Sequence, residues 1–150
     1  MFTLDGVPLI YNGMEVGDAT ESGDPALFDK LTIFWQPKER PQLRSIYHDL
    51  IQLRKQYAAL RTSKVDWLHN SEESNLVSFI RADDKDELLV VINFSNRPLT
   101  AKVDSQTLTG FSPVKISGHH DANDGPLPSV RLDGFQWRIY HRAVNAVAAK

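Results

Sequence analysis

The sequence predicts a mainly β protein, in which an antiparallel β-sandwich is preceded by one long α-helix. Apolar residues between Pro41 and Leu60 recur at three- and four-residue spacing, which is typical of one face of a helix. After Arg61 the period changes to two, and seven short apolar segments follow at the spacing of a sandwich. The chain has 150 residues, 41% of them hydrophobic, which is enough for a packed core.

Before the sandwich, the chain holds one short apolar segment, a long polar loop and the helix. Val7–Tyr11 runs without a polar break, which is typical of a strand buried on both faces, and Pro8 suits a strand start. Residues 12–36 are rich in Gly, Asp, Ser and Thr and are predicted to form a loop. Pro41 fits a first helical turn, so we expect the helix to run from about Pro41 to Leu60.

The seven predicted strands share short length and apolar residues in alternating or continuous runs. In chain order they cover 65–68, 75–82, 87–94, 99–103, 113–117, 129–132 and 135–141. The polar turn Asp83–Asp86 predicts a hairpin of the second and third strands, and Asp133-Gly134 predicts a hairpin of the last two. The change of pattern divides the chain into residues 1–62, a sandwich at 63–143 and a tail at 144–150.

Charge and composition exclude several classes of function. A net charge of −2 predicts no binding to nucleic acid or to an anionic membrane by bulk electrostatics. The absence of cysteine excludes disulfides, thiol catalysis and zinc–thiolate sites. No apolar stretch has the length needed to span a bilayer. No cofactor is predicted.

Four stretches, in this order and spacing, resemble one enzyme family. They resemble the end of the catalytic barrel and the C-terminal β-sandwich of the α-amylase family of glycoside hydrolases. The stretches are Gly6-x-Pro8-x-x-Tyr11-x-Gly13-x-Glu15, the loop element Ile33-Phe34-Trp35, the helix Tyr47–Lys55 with Ala59-Leu60-Arg61, and the strands LVSFIRA and LLVVINFS.

The resemblance implies that residues 1–62 are the last βα unit of a (β/α)₈ barrel, with Val7–Tyr11 as its final strand. Retaining glycosidases need a nucleophile and an acid/base carboxyl group about 5–5.5 Å apart. In the family these two groups and a third aspartate lie on earlier barrel strands, and none has a counterpart here. The chain alone is therefore predicted to have no catalytic residue. Its implied partners are the missing barrel portion and, through the parent enzyme, an α-glucan or related oligosaccharide.

The resemblance also supplies candidates for the rim of the sugar cleft, since active sites of such barrels lie at the ends of the strands. Asn12 and Glu15 would lie on that face. Glu15 either helps to bind sugar or anchors the loop. Tyr11 and Trp35 either stack on sugar rings or pack in the core.

Three polar motifs are interpreted as structural or as chance. Asp18, Glu21 and Asp24 lack the spacing of a calcium loop. His119-His120-Asp121 lacks helical spacing and leads into a turn, so no metal site is predicted. Asn93-Phe94-Ser95 matches a glycosylation acceptor at a strand end and is taken as a chance match.

Two non-enzymatic roles stay open beside the hydrolase fragment, namely glucan binding by the sandwich and a purely structural role. Two or more coplanar exposed aromatic side chains would favour binding. The face shared by Phe135, Trp137 and Ile139 is instead typical of a core. The candidate platform residues are Trp67, Phe79, Phe111 and Trp137.

Self-association through residues 1–17 is a further expectation. An apolar strand whose neighbours are missing exposes unpaired backbone groups, which recruit any available strand. We therefore expect this segment either to be disordered or to pair with a second copy.

Overall fold

A computed structural model describes residues 1–18, 32–35, 43–62, 64–105, 108–117 and 126–144. Within these ranges, each of the seven predicted strands of the sandwich overlaps an observed one, and the predicted helix is observed from Leu43 with a break after Gln56. The elements are a 3₁₀ helix at Met14–Val16, helices α1 (Leu43–Gln56) and α2 (Ala59–Thr62), and strands β1 (Asp66–Leu68), β2 (Leu76–Ala82), β3 (Asp86–Asn93), β4 (Leu99–Lys102), β5 (Ser112–Pro113), β6 (Ser129–Leu132) and β7 (Trp137–Ala143).

The strands form two antiparallel sheets. Five strands lie in the order β1-β2-β3-β7-β5, and β4 pairs with β6 in a second sheet. The predicted β2–β3 hairpin is confirmed, with Leu76 opposite Asn93 and Ala82 opposite Glu87. At its turn the Asp83 carboxylate accepts hydrogen bonds from the backbone N–H groups of Lys85 and Asp86, at 2.9 and 2.8 Å.

The predicted hairpin at Asp133-Gly134 is wrong. A turn does form, since the Gln136 N–H donates to the Asp133 carbonyl at 3.1 Å. However, β6 pairs with β4 and β7 pairs with β3, so this turn carries the chain from one sheet to the other. A Cβ added at Gly134 would lie 2.6 Å from the Asn96 carbonyl group. The absence of a side chain at Gly134 therefore permits two loops to pack closely. This need for glycine gives the same Asp-Gly pattern in the sequence as a hairpin turn does.

The five-stranded sheet is covered on both faces, which explains the continuous apolar run of β3. Leu89 and Val91 face the two-stranded sheet, whereas Leu88 and Val90 face the helices. The core between the sheets contains Leu76, Leu89, Val91, Ala101, Val103, Val130, Leu132 and Tyr140. The core under the helices contains Leu53, Ala59, Leu60, Phe79, Leu88, Val90 and Ile139.

The predicted strand at Val7–Tyr11 is wrong for this chain. The segment has no strand pairing to any residue that the structure describes, and the side chains of Val7 and Leu9 are 95% and 76% exposed. A strand buried on both faces needs neighbours on both sides. The described strands pair among themselves and supply none for this segment.

The first residues are nevertheless docked on α1 and β2, because one arginine from each element binds their backbone carbonyl groups. Arg54 donates from Nη1 to the carbonyls of Phe2 (2.9 Å) and Leu4 (3.1 Å), and from Nη2 to that of Gly6. Arg81, which is fully buried, donates to the Thr3 carbonyl at 2.7 Å. The Leu60 carbonyl accepts from both arginines, at 2.5 and 3.2 Å. Phe2 is 5% exposed and meets Tyr47 edge to face, with ring centroids 5.6 Å apart.

A carboxylate joins helix α1 to the segment after β5. The Asp49 Oδ2 accepts a hydrogen bond from the Ser117 N–H at 2.8 Å. The bonds from Ser117, followed by that from His48, lower the pKa of Asp49 to about 2. The helix is thus tied to the sandwich by a polar contact as well as by the apolar core.

Candidate functional site

The loop after Val7–Tyr11 is a tight turn built on two glycines. Gly13 and Gly17 flank the 3₁₀ helix with φ of 90° and 63°, a backbone region in which side chains are disfavoured. The Met14 N–H donates to the Tyr11 carbonyl and the Val16 N–H to the Gly13 carbonyl, at 3.1 and 3.2 Å. The turn fixes the backbone around the predicted rim residues.

Glu15 lies in this turn and carries a buried oxygen. Its Oε2 atom has no hydrogen-bond partner among the residues that the structure describes. A buried carboxylate oxygen is costly unless a donor reaches it. Both predicted roles of Glu15, anchoring a neighbouring loop and holding a sugar hydroxyl, would supply such a donor.

The other predicted rim residues are exposed and lie near this turn. Tyr11 is 51% exposed, Trp35 is 46% exposed, and Asn12 is also exposed. A Cβ added at Gly13 would lie 3.3 Å from the Ile33 Cγ2 atom, so the segment 32–35 packs beside the turn. The structure thus brings the turn at Gly13 and residues 32–35 into one region, where the rings of Tyr11 and Trp35 are exposed to solvent.

Of the four aromatic residues predicted as a sandwich platform, three are covered. Phe79 is fully buried, Trp137 packs against the core under the helices, and Phe111 lies under the Arg142 guanidinium, 4.4 Å from the ring centroid. Trp67 alone among the four is largely exposed, with its ring edge-on to Phe79 at 5.2 Å.

Two exposed aromatic residues were missed by the sequence reasoning. Phe94 follows the last residue of β3 and is 62% exposed, and Phe135 follows Gly134 and is 65% exposed. The prediction that Phe135 shares a core face with Trp137 and Ile139 is therefore wrong. Phe135 has a φ of +58° and lies outside the strand, so the period-two alternation does not reach it.

The polar motifs yield no metal site in the described ranges, where no group of three potential ligands comes together. Glu21, Asp24 and the motif 119–121 lie outside the described residues. Asn93 is buried, and its amide nitrogen donates to the Arg97 and Asp133 carbonyls, both at 2.9 Å. This burial agrees with the interpretation of Asn93-Phe94-Ser95 as a chance glycosylation match.

One concave region on the sandwich is polar and open to solvent. It encloses about 450 Å³ between the β1–β2 connection and β4, and its walls include His69, Lys102 and Asp104. His69 and Glu73 form an exposed pair at 2.5 Å, and the hydrogen bond to Glu73 raises the pKa of His69.

No helix in the described ranges is long and apolar enough to cross a membrane.

Comparison with known proteins identifies sequence relatives of this chain. No protein-family model matches the chain. The chain is 36% identical over 139 residues to a cyclomaltodextrinase of Geobacillus thermopakistaniensis, which covers 92% of this chain and 23% of that protein. It is 35% identical over 92 residues to neopullulanase 2 of Thermoactinomyces vulgaris, covering 61% of this chain and 15% of that protein.

The fold of the chain also matches that of a solved structure. The native form of a debranching enzyme from Nostoc punctiforme matches with a TM-score of 0.68 and 27% identity, over 93% of this chain and 29% of that one. The chain thus matches the debranching enzyme over a helix and the β-sandwich that follows it. The chain belongs to the α-amylase family of glycoside hydrolases. It spans less than a quarter of the length of the two sequence relatives named above.

Proposed function

We propose that this chain is the C-terminal part of a glycoside hydrolase that acts on α-glucans. Residues 1–62 would be the end of the catalytic barrel, and residues 63–143 its accessory β-sandwich. The observation that carries this proposal is the 36% identity to a cyclomaltodextrinase, which runs through 92% of the chain and so joins the barrel-end segment to the sandwich. The relatives' names, cyclomaltodextrinase and neopullulanase, point to α-glucans as the substrate class.

In the whole enzyme this chain would supply part of the cleft rim. Glu15 has a buried oxygen that a sugar hydroxyl or a loop donor would satisfy, and the rings of Tyr11 and Trp35 are exposed for stacking. Asn12, which is exposed and follows Tyr11 in the sequence, offers an amide for hydroxyl groups. The nucleophile and the acid would come from the barrel portion outside this chain.

The activity experiment has two arms. The purified chain is expected to release no sugar from β-cyclodextrin, pullulan or soluble starch, because it lacks the paired carboxyl groups of a retaining site. A chimera in which this chain replaces the matching region of the Geobacillus cyclomaltodextrinase is expected to hydrolyse β-cyclodextrin. The same enzyme truncated before that region is the control.

Either arm can contradict the proposal. Hydrolysis by the repurified chain that is lost on changing Glu15 to Gln would place a catalytic site within these residues. A folded chimera with no activity, beside an active parent enzyme, would show that this chain cannot complete an α-glucan hydrolase.

We also propose that Val7–Tyr11, the exposed part of residues 1–17, has a covering partner. Val7, Leu9 and Tyr11 expose large apolar side chains, and a folded protein rarely leaves such a run uncovered without a function. The barrel portion would cover this segment in the whole enzyme, and a second copy would cover it in the isolated chain. Sedimentation velocity should show an association that weakens when Val7 and Leu9 are both changed to serine. A monomer at all concentrations would contradict the self-association.

A further inference from the structure

Arg81 joins the β-sandwich to the region of the chain that precedes it. Its side chain is fully buried on the face of β2 that carries Phe79, which is the face turned toward the helices. From there its Nη1 atom donates to the Thr3 carbonyl at 2.7 Å, and its Nη2 atom donates to the Leu60 carbonyl at 3.2 Å. One side chain of the sandwich therefore binds both ends of the preceding region.

The Leu60 carbonyl connects Arg81 to the second arginine that holds the opening residues. This carbonyl also accepts a hydrogen bond from Arg54 of α1, at 2.5 Å. Arg54 donates in addition to three carbonyls within residues 2–6. Because the two guanidinium groups share one acceptor, they fix residues 2–6 relative to both the helix and the sandwich.

The turn that carries Glu15 is held by these same elements. The segment Val7–Tyr11 connects the fixed residues 2–6 to the turn. The 3₁₀ helix of the turn also lies against α1, and its Val16 side chain is 8% exposed. The turn is therefore held through the chain and through the helix, and both routes lead back to the bonds that the two arginines make.

Stability alone does not account for an arginine at position 81. A buried cation loses its hydration, and apolar side chains of similar volume are often at least as stable in a protein core. The guanidinium instead specifies one arrangement, because its planar N–H groups match carbonyls at fixed positions. An apolar residue would fill the same space and would allow the opening residues to shift along the helix.

We propose that Arg81 is a positioning residue, through which the accessory sandwich sets the place of the Glu15 turn at the cleft rim. The assignment of this turn to the cleft rim rests on the proposed function, whereas the hold of Arg81 on the opening residues rests on its two hydrogen bonds. Arg81 acts through the backbone carbonyls of Thr3 and Leu60. The sandwich would thus contribute to substrate binding without a sugar site of its own.

Amide hydrogen exchange of the full chain measures the hold on the turn. The Val16 and Asp18 N–H groups donate to the Gly13 carbonyl, at 3.2 and 2.9 Å, so their exchange reports local opening of the turn. In Arg81→Met both amides should exchange about tenfold faster, as expected for the loss of one hydrogen bond to a buried carbonyl. Arg81→Lys should give a smaller increase, because one ammonium group cannot bind both carbonyls as the guanidinium does. The lysine variant also carries the comparison if the methionine variant does not fold.

Arg138→Met serves as the comparison, since it removes another buried arginine from the same five-stranded sheet. Arg138 is 7% exposed and donates to the Trp137 carbonyl of its own strand at 3.0 Å. It lies on the same face of β7 as Tyr140, which turns it toward the two-stranded sheet and away from the helices. Its loss should lower the midpoint of urea unfolding and leave exchange at Val16 and Asp18 unchanged.

Steady-state kinetics of the chimera with the Geobacillus enzyme measure the consequence for the cleft. Arg81→Met should raise the KM for β-cyclodextrin about tenfold and leave kcat within about twofold, because residues at a rim bind the substrate and the transition state alike. Arg81→Lys should recover part of the loss. Arg138→Met should leave both KM and kcat unchanged.

Two results would overturn the proposal. One is exchange in the turn that is unchanged in Arg81→Met, or changed equally in Arg138→Met, which would give Arg81 a purely structural role. The other is an unaltered KM in an active Arg81→Met chimera. If the chimera is inactive without any substitution, the proposed function is contradicted. Faster exchange in the turn of the Arg81 variants alone would then still show that the sandwich holds the turn.

Discussion

Replacing Leu53 by alanine is expected to lower the free energy of unfolding by about 2–5 kcal/mol. Leu53 is 5% exposed and lies in the core under the helices, in the same cluster as Phe79 and Leu88 of the central sheet. The change removes apolar contacts from both the helix and the sheet and leaves a cavity between them. The loss should therefore appear as a lower midpoint of one cooperative transition.

Urea unfolding followed by two probes measures this effect. Far-ultraviolet circular dichroism reports the helices and strands, while fluorescence reports Trp67 and Trp137 on the sheet together with Trp35 near the turn. The two midpoints should coincide before and after the change, because α1 is too short and too amphipathic to be stable alone in water.

Two further substitutions on α1 calibrate the result. Leu50 is only half-buried, at the wall of an apolar groove of about 130 Å³, so Leu50→Ala should cost less than Leu53→Ala. Gln52 is exposed, and Gln52→Ala should change stability by no more than about 0.5 kcal/mol. A Leu53→Ala loss as small as that of Gln52→Ala, or midpoints that diverge between probes, would show that the helix is not docked on the sandwich.

The strands could be predicted from the sequence because their burial follows the period of the backbone. In β6, Val130 and Leu132 are buried while Ser129 and Arg131 are exposed, so alternation alone locates the strand. In β3 the alternation is absent, yet the continuous apolar run correctly indicates burial on both faces.

The pairing of strands could not be predicted in the same way. Asp133-Gly134 has the composition of a hairpin turn, but the chain changes sheets there because Gly134 packs against the Asn96 backbone. Val7–Tyr11 likewise has the composition of a buried strand, and burial depends on neighbours that the segment does not find in the described chain. Local sequence specifies the tendency to turn or extend, whereas partners are set by distant residues.

At the candidate site, too, local features could be predicted from the sequence, whereas contacts between distant residues could not. The composition after Tyr11 predicted a loop, and the positive φ of Gly13 and Gly17 there is a local requirement that glycine meets. The exposure of Phe94 and Phe135 could not be predicted, because it depends on hydrogen bonds that Asn93 makes to carbonyls in two separate loops. One local signal did exist for the arginine that binds the first residues, since Arg54 occupies a position on the apolar face of the helix.

Replacing Arg54 by methionine is expected to release the first six residues from the helix and to cost about 2–4 kcal/mol of unfolding free energy. The guanidinium donates to the carbonyls of Phe2, Leu4, Gly6 and Leu60, and methionine of similar length donates to none of them. Loss of these bonds should also separate the Phe2 ring from Tyr47. Arg54→Lys should recover only part of the loss, because one ammonium group cannot reach all the carbonyls that the planar guanidinium spans.

Limited proteolysis and urea unfolding measure the two effects separately. The N-terminal segment of the Arg54→Met variant should be cleaved faster at concentrations of urea well below the global midpoint, as expected for local release. Arg44→Met is the matched control, since Arg44 is exposed on the same helix and its loss should leave both measurements unchanged. Deletion of residues 1–17 should lower the midpoint at least as much as Arg54→Met, because it removes the buried side chains of Phe2 and Thr3 as well as the carbonyls. If the deletion leaves the midpoint unchanged, the opening segment does not dock on the helix, and Arg54 has no structural role in holding the segment that leads to Glu15.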